Sequence, residues 1–90
     1  MSNTRTEADK KLLYVKQEFA ELLLAYKYQE SWTKAGELNA LLKNKENLSL
    51  PEEVTNNIAS LLKGYYDAND KVNEAHKRMT GFGHKLQEIN

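Results

Sequence analysis

From Val54 to Met79 the residues Val54, Ile58, Leu61, Tyr65, Ala68, Val72, Ala75 and Met79 recur at alternating steps of four and three without a fault. That spacing keeps one side of an α-helix apolar and marks a left-handed helical seam. Nothing with period two competes with it. Val, Ile and Thr are few, the chain has one proline, Pro51, and no glycine precedes Gly36. The fold class read from this pattern is all-α.

A second seam lies nearer the N-terminus. The first helix begins near Thr4 or Thr6, and Thr6 as N-cap leaves Glu7 and Asp9 in the first turn, where the helix dipole favours carboxylates. Leu12, Val15, Phe19, Leu22 and Tyr26 follow at steps of three and four. Past Tyr26 the phase slips: the next seam positions would be Gln29, Thr33 and Gly36, and a new register of Tyr28, Trp32, Ala35, Leu38 and Leu42 takes over. Either one helix runs over about 6–45 with a stutter, or a kink divides it near Ser31. The absence of Pro and Gly between residues 26 and 35 favours continuity.

Residues 46–49 read as a polar turn. Ser49-Leu-Pro-Glu52 has the spacing of a capping box, with Ser49 as N-cap, Glu52 at N3 and Pro51 in the first turn. A helix over about 50–80 should follow, with Gly81 as the left-handed residue past its end. Phe82, Leu86 and Ile89 share one face of the tail 82–90, which forms a short last helix or a hook that docks back. The expected architecture is a single domain, 1–90, built on a long antiparallel, coiled-coil-like helical hairpin. A three-helix bundle, or a four-helix bundle on dimerisation, are its variants.

A chain of 90 residues buries a thin core, and with no cysteine it has neither disulfides nor thiolate metal sites to reinforce it. Helix packing or self-association must do so. The 13 basic and 13 acidic residues balance, which weighs against a dedicated nucleic-acid binder or a basic membrane-surface helix. The start of the chain lacks the apolar core of a signal peptide, and the longest apolar run, Leu22 to Ala25, is far too short to span a bilayer. A cytoplasmic location is expected, no membrane partner is expected, and the sequon at Asn47 is read as chance.

Two antiparallel helices bury one stripe each, and the first helix has more apolar residues than one stripe holds. Leu13, Ala20 and Leu24 form a second stripe, and Leu22, Leu23 and Leu24 point in three directions. A stripe of this kind marks an interface when exposed, unless the 32–45 segment or the 82–90 tail folds back over it. The candidate contact residues are therefore Leu13, Ala20, Leu23, Leu24 and Trp32, with Glu18, Glu21, Lys71 and Arg78 as flanking charges. The expected partner is a second copy of the chain, another protein, or both.

Chemistry is sparse. His76 has no carboxylate at i−4 or i+4 to complete a metal site and reads as a solvated helix residue, His84 sits in a Gly-flanked tail and reads the same way, and Asp67-x-Asn69 lacks the glycine and spacing of a calcium loop. With two arginines in the chain, no anionic-substrate pocket is foreseen. No cofactor, metal or small-molecule substrate is expected, and the chain is not read as an enzyme. The Trp-x-Gly turn of small secreted helical hairpins is absent, since Trp32 and Gly36 are separated by Thr-Lys-Ala and lie away from the turn. The functional expectation is a non-catalytic protein–protein interaction module. The alternative is a small regulator contacting nucleic acid through tyrosines (Tyr14, Tyr26, Tyr28, Tyr65, Tyr66) interleaved with Lys16, Lys27, Lys34 and Lys63.

Overall fold

Thr6 opens the first helix, α1 (Glu7–Leu24), as an N-cap in extended backbone. Its hydroxyl accepts from the Asp9 N–H at 3.1 Å, and the Asp9 carboxylate accepts from the Thr6 N–H at 2.9 Å. Two of the orphan donors of the first turn are thereby satisfied reciprocally. The computed structural model describes residues 5–69 and 75–89, without the side chains of 75–77. The expected seam position Val72 and flanking charge Lys71 lie outside the described residues, as do the side chains of Ala75 and His76.

Helix α1 does not continue to residue 45. It stops at Leu24, and the chain turns at residues 25–27 into α2 (Tyr28–Lys43). The stop is a Schellman motif: the Lys27 N–H bonds the Leu22 carbonyl at 2.9 Å and the Tyr26 N–H bonds the Leu23 carbonyl at 3.2 Å. Tyr26, at φ 61°, occupies the left-handed position that glycine normally takes. A bulky residue pays about 1–2 kcal/mol for that conformation. The Tyr26 side chain is 67 % exposed and offers little packing in return. Tyr26→Gly is therefore expected to stabilise the protein by about 1 kcal/mol in urea unfolding, the gain being partly offset by a more flexible unfolded chain. A loss of stability would show that the elbow depends on the tyrosine ring.

The elbow brings α2 back antiparallel along α1. A single 3₁₀ turn, Lys45–Asn47, leads to α3 (Glu52–Asn69), and α4 (Ala75–Glu88) completes the described chain. One helix over 50–80 is thus also replaced by two. A Cβ on Gly64 would stand 2.9 Å from the Phe82 ring. In a continuous helix those residues, 18 apart, would be about 27 Å apart. Gly81 lies inside α4 with an ordinary negative φ rather than ending a helix. Tertiary packing overrides its weak helix propensity, because α4 brings Met79 and Leu86 into the core.

The helices form a bundle in which α1 sits between α2 and α4, and α4 between α1 and α3, while α2 and α3 form the loosest of the four seams. The radius of gyration is 13.0 Å. Leu12, Phe19 and Leu23 of α1 meet Leu38 of α2, Ile58 and Tyr65 of α3, and Met79 and Leu86 of α4, all fully buried. Since α1 faces two neighbours, its buried set widens beyond an a/d seam to include Lys16 and Ala20, while Tyr26 leaves the core. On α3 the buried line runs Thr55, Ile58, Leu62, Tyr65 and Ala68, so Val54 and Leu61 sit at its partly buried edge.

Two buried polar groups are tied across helices. The Lys16 ammonium donates to the carbonyls of Leu86 and Ile89, at 2.9 and 2.6 Å, and so caps the last turn of α4. Burial pushes its pKa down. The Ser31 hydroxyl lies 2.7 Å from the Tyr28 carbonyl and 2.9 Å from the Tyr65 hydroxyl, joining the start of α2 to the end of α3. Ser49 and Glu52 do not form the expected capping box: α3 begins at Glu52 itself, and the Ser49 backbone N–H and hydroxyl both donate to the Asp9 carboxylate, tying the loop before α3 to the first turn of α1.

Candidate docking surface

The five expected contact residues do not lie together on a free face. Ala20 and Leu23 are fully buried, and Leu13 and Leu24 are half-buried. The cover is the chain's own C-terminal helix. A Cβ on Gly83 would stand 2.9 Å from Leu24 Cγ and 3.1 Å from the Ala20 carbonyl oxygen, so α4 lies almost directly on this part of α1. At Ala20 and Leu24 the second stripe is occupied from within, and only a small residue at position 83 permits so close an approach. Trp32 differs from the other four: it is 54 % exposed.

Trp32 stands at one end of the α2–α3 seam. Its ring meets Tyr66 edge-on at 5.3 Å, and Tyr66 in turn meets Tyr65 at 5.5 Å, which packs against Phe19 at 4.9 Å. The exposed indole is therefore the outer member of an aromatic chain rooted in the core, held in place at little entropic cost. Burial, and then the neighbouring Tyr65, push the Tyr66 phenol upward, so its hydroxyl stays protonated at neutral pH.

From this aromatic end the seam opens into a groove of about 540 Å³. Leu42, Ala59, Leu62 and Tyr66 line it together with Asn39, and Lys43, Lys45 and Lys63 rim it. None of these lysines makes an ion pair with another described residue, and no carboxylate lines the groove. A cleft of about 500 Å³ at the elbow between α1 and α2 has the opposite character: Glu18, Glu21 and Glu30 line it with Lys27 and Lys34. There Lys34 already bonds Glu18 at 2.8 Å and Glu37 at 3.2 Å. The Lys34 hydrogen bond holds the Glu18 carboxyl below its ordinary pKa, and the Glu18 hydrogen bond, with that of Glu37, holds Lys34 above its own.

The Lys/Tyr set expected for nucleic acid is dispersed by the fold. Lys16 is buried under α4, Lys34 is paired with glutamates, and Lys27 lies in the elbow cleft, leaving Lys63 with Tyr66 in the groove. Lys43 and Lys45 join them only through the fold, because they come from the end of α2 and the turn after it. Ala59, Lys63 and Tyr66 do follow one another at steps of four and three, and that spacing flanking the main seam is the signal in the sequence for a second face on α3. Among the described residues no group of three or more His, Cys, Asp or Glu could hold a metal ion, and no helix is long and apolar enough to cross a membrane. His84 is exposed. No protein-family model matches the chain, and no curated protein or solved structure matches it significantly.

Proposed function

We propose that this chain is a small non-catalytic protein-interaction module, and that it receives a segment of its partner in the α2–α3 groove. The observation that carries this reading is the open seam itself. Along the α2–α3 seam Leu42 and Leu62 close the floor as part of the core, while exposed Ala59 and half-buried Tyr66 leave apolar surface open above them, with the half-exposed Trp32 packed on Tyr66. Tryptophan and tyrosine in such positions are the usual anchors of protein interfaces. Binding buries this lining, and the rim charges select the partner.

A photo-reactive residue in place of Asn39, inside the groove, is expected to cross-link another protein in the cells that make this chain, and the same residue in place of Gln17 on α1 is not. Adding Ala59→Trp, which fills the groove from an exposed position, should remove the cross-link, and Trp32→Ala should reduce it several-fold. Equal cross-linking from both sites, or a cross-link indifferent to Ala59→Trp, would sink the proposal. Light scattering over a concentration series reports whether the partner is a second copy.

The second reading, contact with nucleic acid, draws on the three lysines that line the groove with Tyr66. It requires binding to a random single-stranded oligonucleotide at low salt that weakens steeply as salt is raised.

A further inference from the structure

We propose that the occupant of the α2–α3 groove is an acidic amphipathic α-helix of another protein, lying along the seam with its carboxylates toward Lys43, Lys45 and Lys63 and a large apolar residue against Trp32 and Tyr66. The inference rests on the reading of the chain as an interaction module and adds the chemistry of the partner.

Shape comes first. The Ser31–Tyr65 hydrogen bond joins the start of α2 to the end of α3, so the two helices run antiparallel. They are held at the Trp32 end and lined by apolar side chains between, and the trough between two such helices seats a third helix, as in bundle packing. From Ala59 to Tyr66 the α3 wall runs about 10 Å, two helical turns, which gives room for apolar residues at i, i+3 or i+4 and i+7.

Charge then selects among possible occupants. Glu46 and Asp67 are near the rim lysines in sequence, but neither lines the groove, and the three ammonium groups have no ion-pair partner among the described residues. A basic helix would be repelled. A second copy seated symmetrically on the same face would set lysines against lysines. A nucleic acid would satisfy the lysines while leaving the exposed Ala59 without an apolar partner. An acidic amphipathic helix satisfies both the lining and the rim.

The test is a displayed library of helical peptides selected against the whole protein. Positions on one face vary among Leu, Ile, Phe, Met and Ala, and the flanking positions vary among Glu, Gln and Lys. Selected peptides are expected to favour Glu over Lys at the flanks, and a recovered acidic peptide should bind about tenfold more tightly than its Lys counterpart at low salt, as three exposed ion pairs would give. Binding should shift the fluorescence of Trp32, the only tryptophan in the chain. The variant Lys43→Glu/Lys45→Glu/Lys63→Glu, whose changes are all at exposed positions, should invert the preference.

Peptides that depend on an open groove, lost with Ala59→Trp, yet show no preference between Glu, Gln and Lys would overturn the acidic partner and leave the interaction module standing. A library that enriches equally on wild type and Ala59→Trp would overturn both. Lysine-dependent binding of an oligonucleotide without peptide enrichment would replace the protein partner with nucleic acid, and a concentration-dependent dimer abolished by Ala59→Trp would make the occupant a second copy.

Discussion

Gly83→Val is expected to destabilise the protein by about 3 kcal/mol and to lower its midpoint of thermal unfolding by more than ~10 °C. The cause is geometric. At position 83 even a Cβ would lie 2.9 Å from Leu24 Cγ, 3.1 Å from Leu24 Cδ2 and 3.1 Å from the Ala20 carbonyl oxygen. Leu24 is half-buried and can yield by changing rotamer, but the carbonyl belongs to the body of α1 and cannot. Valine adds two methyl groups at this contact, so α4 must lift from α1. That movement loosens the Lys16 hydrogen bonds to Leu86 and Ile89 and exposes Ala20, which is fully buried. Two other helical glycines supply the control. Gly36 and Gly81 have no atom within 4 Å of a Cβ and have ordinary negative φ, so Gly36→Ala and Gly81→Ala should each stabilise by about 1 kcal/mol through helix propensity alone. Leu24→Ala combined with Gly83→Val should recover part of the loss, giving a coupling that a double-mutant cycle reads directly. Gly83→Val with unchanged stability would mean that α4 does not rest on α1 at Ala20 and Leu24.

The same glycines mark what the sequence conceals. The helical class, the start of α1 at Thr6 and the packing role of Tyr65 are legible because each depends on neighbours within a turn or two. The elbow is not, because its Schellman stop has Tyr26 where a glycine would have announced it, and a 4-3 apolar rhythm can be carried across a bend as readily as along one rod. Gly81 reads as a helix stop because glycine usually is one. Here it lies within a helix whose neighbouring glycine, Gly83, is needed for close approach rather than for a left-handed backbone. The apolar stripe on Leu13, Ala20 and Leu24 is visible in the sequence, but what covers it is decided by a segment some 60 residues away, and no local spacing encodes that choice. Trp32 follows the second apolar register in the sequence, yet the buried line of α2 runs Ser31, Ala35, Leu38 and Leu42 and leaves Trp32 exposed beside it, because the small Ser31 takes the inward position against Tyr65. The lysine rim is hidden, since it assembles from α2, the 3₁₀ turn and α3.

Asp9 is the second position where a large effect is expected, because one carboxylate serves two elements. It closes the capping box of α1 by accepting from the Thr6 N–H, and it accepts from the N–H groups of Ser49, at 2.9 Å, and Leu50, at 3.3 Å, as well as from the Ser49 hydroxyl. The side chain is fully buried, so an uncharged replacement leaves donors in the loop before α3 without an acceptor. Asp9→Ala should therefore cost about 3 kcal/mol, the sum of a lost N-cap partner and lost charge-assisted bonds to the loop, and Asp9→Asn about 2 kcal/mol, since one of its two positions can still accept. Burial alone would raise the Asp9 pKa. The hydrogen bond from the Ser49 hydroxyl and those from Thr6 and the Ser49 backbone outweigh it and bring the carboxyl down from 3.8 to about 2. A carboxyl whose pKa is lowered on folding contributes stability that is fully present above its unfolded value and is lost as the pH falls through the folded one. The difference in unfolding free energy between wild type and Asp9→Asn should thus be constant from pH 7 to about 5 and shrink between about pH 4 and 2, when measured by urea unfolding across that range. The Glu18–Lys34 pair is present in both proteins, so its own acid sensitivity cancels in the difference. A gap that stays the same down to pH 2 would show that the loop is held by shape rather than by the charge on Asp9. The first turn of α1 and the entry to α3 would then be joined by packing alone, and Asp9→Asn would leave that junction as stable in acid as at neutrality.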